Sequence, residues 1–326
     1  MFAVVAVLVV AVAGCKTMAP PTATSPIRAA FYYPWFPEAW AQQGQNPFTN
    51  YTPVRGSYSI DAPTVTTQIT EMQYAGISVG IASWFGQNST TDKHWPALMQ
   101  AAQGTGFAWA PYYEPEGISD PTPTQIAADL HYIRQTYVGS TDGLLLLNGK
   151  GMAVFVYNAD DPTQVKGCDT VTRWKQARQL LHDQYNEDVY IDLKVFPGYR
   201  QCVDDASIDG WHQYGPASSD QNFVTAPGDG SYGISPGYWK SGAAYGTAPF
   251  LSRDRARWQQ SVATMNASGA KWQLIATYNE WGEGTAIEGS SGCRNVAPAG
   301  TYCDWHGDGT VSDFSADLHA AAPPHS

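Results

Sequence analysis

Two glutamates, Glu280 and Glu283, stand three residues apart in "YNEWGEG" (residues 278–284). A surface helix would surround such acids with Lys and Ala. Here the neighbours are Asn279, Trp281, Gly282 and Gly284, which read as a loop. Two carboxyls this close repel when both are ionised, so one pKa rises and a proton donor comes to sit beside an acceptor near neutral pH. Such a pair can give a proton to a leaving group and take one from a nucleophile in the same turnover. Glu114 and Glu116 in "YYEPEG", on a loop stiffened by Pro115, and Asp192 in "DLKVF" are further acids that could complete a catalytic set.

Acids do chemistry only where elements hold them. Residues 27–36, "IRAAFYYPWF", predict an apolar first strand running into an aromatic turn. Further strands are expected at 77–86, 107–117, 151–158, 188–198, 208–215, 231–239 and 271–284, with helices at 62–75, 93–104, 122–137, 170–185 and 252–268. Continuous apolar strands alternating with helices indicate a parallel sheet, and eight such units indicate a (β/α)₈ TIM barrel forming a single catalytic domain over residues 28–322. The links around strands six and seven look too short or irregular for full helices. An open doubly wound sheet is the lesser alternative.

In a barrel the active site lies at the C-terminal strand ends. Those ends carry Tyr32, Tyr33 and Trp35; Trp84; Tyr112, Tyr113, Glu114 and Glu116; Tyr157 and Asn158; Lys194 and Tyr199. Trp211, His212 and Tyr214 follow, then Tyr238 and Trp239, then Asn279, Glu280, Trp281 and Glu283. An aromatic at nearly every strand end suits a sugar, whose C–H faces stack on rings while polar groups bond its hydroxyls. An aromatic upper core layer would explain part of this set, but not its partnering with Glu, His and Asn. His212 reads either as a sugar contact or as an ordinary partly buried histidine. Glycoside hydrolysis commonly uses two carboxylates flanking the scissile bond. Acids from one short loop do not obviously straddle a sugar ring.

Composition agrees with a neutral, hydroxyl-rich ligand. The 326 residues include 12 Trp, 19 Tyr and 11 Phe, only 14% are charged, and the net charge is −11. That balance argues against nucleic acid and anionic membrane surfaces, which demand a basic footprint. Phe2–Ala13 is apolar and too short to span a bilayer, and "AVAGC" then places small residues before Cys15. Residues 1–15 therefore read as a signal peptide with a lipobox-like end, although no Lys or Arg precedes the run and Val12 stands where Leu is more usual. Residues 16–27 read as a tether. The expected location is secreted or cell-surface, with the membrane touched only through lipidated Cys15. Cys168, Cys202, Cys293 and Cys303 remain, an even count that suggests disulfides with three possible pairings. Closeness in sequence favours Cys168–Cys202 and Cys293–Cys303; a zinc site is disfavoured because no C-x-x-C is present.

"FYYPWF", "SPGYW" and "YNEWGEGTAIE" together resemble glycoside hydrolase family 99 and its relatives, the endo-α-1,2-mannosidases and mannanases, over roughly residues 28–322. The resemblance implies that Glu283 is the general acid/base and that Glu280 draws a proton from the sugar 2-hydroxyl. The 2-oxygen then attacks the anomeric carbon, and water opens the resulting 1,2-anhydro sugar with retained configuration. It also implies Tyr33, Trp84 and one of Tyr214 or Tyr238 as sugar contacts, and no cofactor or metal. The chain departs from the family in carrying Gly282 where the family often has His. With the strand-end reading, the expected substrate-binding set is Tyr33, Trp35, Trp84, Tyr113, Glu114, Glu116, Trp211, His212, Tyr214, Tyr238 and Trp281.

"DWHGDGTVSDFS" (304–315) has part of a calcium-loop pattern, but His306 stands at its third position and Ser315 at its twelfth, so the bidentate acid is missing. A polar link into the last helix is the better reading. The expected partner is an α-linked oligo- or polysaccharide, most simply an α-1,2-mannan. The rivals are the same acids acting on another α-glycan, such as an α-1,3-glucan, and a non-catalytic glycan-binding lipoprotein.

Overall fold

The computed structural model describes residues 26–137, 143–147, 149–157, 169–194, 208–242 and 248–321. The expected signal peptide with Cys15, most of the expected tether, Asn158, Tyr199, and Cys168 and Cys202 with their expected pairing lie outside the described residues.

Eight parallel strands form the centre: β1 (Ile27–Tyr32), β2 (Val79–Trp84), β3 (Ala108–Tyr113), β4 (Gly151–Val156), β5 (Val189–Lys194), β6 (Gly210–His212), β7 (Ser231–Ile234) and β8 (Trp272–Ile275). Around them lie α1 (Ala62–Tyr74), α2 (Thr90–Ala102), the single turn α3 (Glu116–Ser119), α4 (Pro123–Tyr137), α5 (Asp169–Tyr185), α6 (Arg255–Ala267) and α7 (Asp313–Ala320). Parallel ladders run in chain order from β1 to β6, and β8 pairs with both β7 and β1. The β1–β8 ladder brings the last strand back beside the first, so the strands run round a nearly closed barrel with β6 and β7 meeting at its seam. At the β6–β7 seam Ser231 Oγ donates to Trp211 O at 2.9 Å. The expected irregularity after strand six is a short strand, Asp220–Phe223, antiparallel to β7.

Strand parity sorts the side chains into two layers. Ile27, Ala29, Phe31, Ala108, Ala110, Tyr112, Trp272 and Leu274 fill the barrel, and their alternates face the helices. Trp109 is one of these alternates, and its ring takes the space over Gly80, where any Cβ would come within 2.1 Å of it. Helix faces match this layer. In α4 the buried residues Ile126, Ala127, Leu130, Ile133 and Tyr137 recur at helical spacing. Side-chain caps start several helices: Asp61 for α1, Ser89 for α2, Asp254 for α6 and Ser312 for α7. Buried Arg28 joins first to last, bonding Gln273, Asn266 and the carbonyls of Ala75 and Leu318.

Candidate active site

The strand of β8 ends at Ile275, earlier than the sequence suggests, so Glu280 and Glu283 stand on the loop beyond it. That loop is closed at its neck by Thr277 N to Thr285 O (3.2 Å) and Ile287 N to Thr277 O (3.0 Å). Asn279 fixes it to β1, accepting from Tyr33 N at 2.8 Å and donating to Tyr33 O at 3.1 Å. Gly284, at φ +66°, packs against Trp239 O, where a Cβ would approach to 2.6 Å. Within this frame the Glu283 N–H donates to Glu280 Oε1 at 3.0 Å, and both acids reach one cleft.

The cleft has a volume of about 710 Å³. Tyr33, Trp35, Phe48, Phe85, Tyr157 and Tyr214 give it ring-bearing walls, and Glu38, Glu114, Lys240, Glu280 and Glu283 its charge. Tyr33 stacks on Trp35 at 4.4 Å between ring centres, and its hydroxyl donates to Tyr214 Oη at 2.8 Å. Burial, and then the charge of Glu283, pushes the Glu280 carboxyl up to about 8. Burial also raises Glu283, against the opposing pull of Lys240, whose Nζ lies 3.4 Å from Oε1, and of Lys194. Glu114 is pushed up to about 8 by burial, with Ser83 Oγ donating to it at 3.1 Å. Lys194, whose Nζ sits 4.0 Å above the Tyr157 ring centre, is pulled down to about 8 by burial. Carboxyls that keep their protons towards neutral pH thus stand beside a carboxyl whose charge Lys240 and Lys194 support, which is what acid–base chemistry on a neutral substrate requires.

Other expected contacts lie elsewhere, and parity explains three of them. Trp84, Tyr113 and Trp211 project towards the helix layer. Trp84 Nε1 donates to Asp92 Oδ1 at 2.8 Å, the Tyr113 hydroxyl donates to Asp129 Oδ2 at 2.9 Å, and Trp211 packs on the outer core. Glu116 turns away from the cleft onto Arg173 and accepts from Trp174 Nε1 at 3.0 Å. Trp281 points back into the protein, donating to Glu288 Oε2 at 3.0 Å. His212 is sealed in the barrel beside Asp192, at 2.8 Å. Tyr238 pairs through its backbone with Leu251, and its ring lies 5.6 Å from Phe250.

The sequence reading did not single out Lys240, Phe48 or Phe85. Phe85 had a signal: if Trp84 faces the helices, its successor faces the cleft. Lys240 directly follows "SPGYW". Phe48 comes from the long loop after β1, for which no periodic signal exists.

Cys293 and Cys303 form a disulfide. In the 304–315 stretch, Asp308 Oδ1 accepts from Thr310 N at 2.9 Å, and Asp304 pairs with His306, so both acids support the turn. Among the described residues no group of three His, Cys, Asp or Glu is placed to hold a metal ion. No described helix is long and apolar enough to cross a membrane.

The fold and the strand-end cleft define a (β/α)₈ barrel. Among solved structures the chain is similar to the GH99 endo-alpha-mannosidase from Bacteroides thetaiotaomicron in complex with Bis-Tris propane, with a TM-score of 0.69, 20% identity, and coverage of 91% of this chain and 95% of that one. A second structure of the GH99 endo-alpha-mannosidase from that organism gives a TM-score of 0.62 at 18% identity, covering 90% and 95%. A structure described as a glycoside hydrolase-like protein gives 0.61 at 16%, covering 93% and 95%. No family model and no curated protein matches the sequence. At these identities the likeness is one of fold.

Proposed function

We propose that the protein is an exported glycoside hydrolase that cleaves α-linked glycan, most simply an endo-α-1,2-mannosidase or mannanase, with retention through a 1,2-anhydro sugar. One observation carries the reading: two buried carboxyls, joined by a 3.0 Å contact from the Glu283 N–H to Glu280 Oε1, in a ring-walled cleft at the C-terminal end of a barrel. Both acids come from one wall, so neither is placed to attack the anomeric carbon from the opposite face. A nucleophile supplied by the substrate removes that requirement. Glu280 takes the proton of the 2-hydroxyl, O2 bonds to C1, and Glu283 protonates the departing oxygen. Water, deprotonated by Glu283, then reopens the ring, and Glu280 returns its proton to O2.

Burial raises both acids and Lys240 opposes both rises, but the charge of Glu283 adds to the rise at Glu280 while Lys240 ion-pairs with Glu283, so the proton favours Glu280. A sugar 2-hydroxyl donating to Glu280 stabilises its ionised form, and a glycosidic oxygen covering Glu283 disfavours charge there. Substrate therefore supports the tautomer the reaction needs. Two structural neighbours are endo-alpha-mannosidases, which favours mannan over α-1,3-glucan. Export and the lipid anchor rest on the N-terminal segment alone.

The test is a digest of α-mannans, α-glucans and arabinans by wild type and Glu283→Gln, with products read by mass spectrometry. Release from one α-linked glycan, lost in the variant, is the expected outcome. Binding without release by either protein would replace the reading with a glycan-binding protein.

A further inference from the structure

The segment 239–241 is stapled to the acid loop from both sides. Trp239 N donates to Glu283 O at 2.9 Å, and Ser241 N donates to Gly282 O at 2.7 Å. Asn50 Nδ2 holds the same segment from the loop after β1, donating to Trp239 O at 3.0 Å. Lys240 sits between the two staples. Its side chain lines the cleft, and its Nζ lies 3.4 Å from Glu283 Oε1. A flexible lysine on a free loop would swing into water; this one is carried by backbone that cannot move without the acids.

Glu283 is faced from several elements. Glu280 belongs to its own loop, Lys240 to the stapled segment, Lys194 to β5 and Glu114 to the loop after β3, while the phenols Tyr157 and Tyr214 complete the surround. The two lysines thus stand against three carboxyls. Lys240 makes an ion pair with the most exposed of these carboxyls, whose side chain keeps 24% of its surface open.

We propose that Lys240 is a positioning residue for the acid pair: its ammonium, held by the stapled segment, turns the Glu283 carboxylate to one wall of the cleft and favours charge on it over charge on Glu280. The inference rests on the reading of Glu280 and Glu283 as the reacting acids. Its consequence is an enzyme whose proton crosses from Glu280 to Glu283 only when a glycan fills the cleft.

The test is a carboxyl ¹³C titration of the unliganded, glutamate-labelled protein as wild type, Lys240→Met and Lys240→Arg, followed by pH profiles of kcat/KM. In Lys240→Met the lower of the two pair ionisations should rise by about one pH unit, as expected for removal of a close, partly screened opposite charge. The acid limb of kcat/KM should move with it and the basic limb less, while Lys240→Arg should restore both. An unmoved titration in folded Lys240→Met overturns the proposal. So does loss of turnover with unmoved limbs, which would make Lys240 a substrate contact. The titration needs no substrate, so a wild type that cuts no glycan defeats the functional reading while Lys240 is still judged separately. Should Lys240→Met not fold, Lys240→Gln enters the same titration with the same expected rise.

Discussion

The loops after β3 and β8 each carry two glutamates within three residues, and they treat them differently. After β8, the Glu283 N–H closes a tight turn on Glu280 and both carboxyls enter the cleft. After β3, Pro115 and the single turn of α3 separate the pair. Glu114 stays in the cleft on Ser83, whereas Glu116 is turned outward onto Arg173 and Trp174. A carboxylate matched by a guanidinium and an indole has its charge spent on structure. A carboxyl buried with another acid and only partly balanced by lysine keeps a raised pKa and remains available for proton transfer. Identical residue types at similar spacing therefore divide by their partners.

Changes to the four acids would break that contrast in different ways. The largest effect should follow from Glu283→Gln or Glu280→Gln, each expected to lower kcat by roughly 10³-fold while glycan binding persists, since acid–base groups typically contribute 10²–10⁴. Stopped digests and calorimetric binding on the same protein would show it. Glu116→Gln should do the reverse. Removing the buried charge opposite Arg173 should cost about 2 kcal/mol and lower Tm by about 5 °C, with kcat per folded molecule near wild type.

A third difference appears against pH. The folded carboxyls of Glu280 and Glu114 hold protons up to about 8, whereas the unfolded groups release theirs near 4.5. The folded state binds more protons in that window, so stability from these groups is complete below about pH 4.5 and is lost as pH rises through about 8. Thermal melts should fall across that range, and Glu114→Gln should flatten the slope. The smallest effect belongs to Gly282→Ala. The added Cβ would meet Glu280 Oε1 and the Phe48 ring at 3.0 Å, so kcat/KM should fall by roughly a few-fold with little change in Tm.

The barrel was legible because mostly apolar strands such as Val79–Trp84 and Ala108–Tyr113 alternate with helices such as Pro123–Tyr137 that bury one face. The β8 pair was legible because its loop neighbours ruled out a surface helix. Strand-end position alone does not tell which aromatics face the cleft; parity does. Tyr112 and Tyr113 are adjacent, yet only the first faces the barrel interior. Ile27–Tyr32 alternates inward and outward in the same way, so the rule was available in the sequence. The fate of Glu116 was not, because its partners Arg173 and Trp174 lie 57 and 58 residues away in α5. Phe48 was equally hidden, since its place beside Gly282 is set by tertiary contact alone.

One measurement bears on the chemistry of the β8 pair more directly than any variant: wild-type turnover of two α-linked glycosides identical except for the 2-hydroxyl at the cleavage site. Cleavage of the hydroxyl-bearing glycoside alone, with the first-formed product retaining the α configuration, is the expected result. Equal cleavage of both would contradict it, because a nucleophile from the protein would then have to stand across the cleft from Glu280 and Glu283.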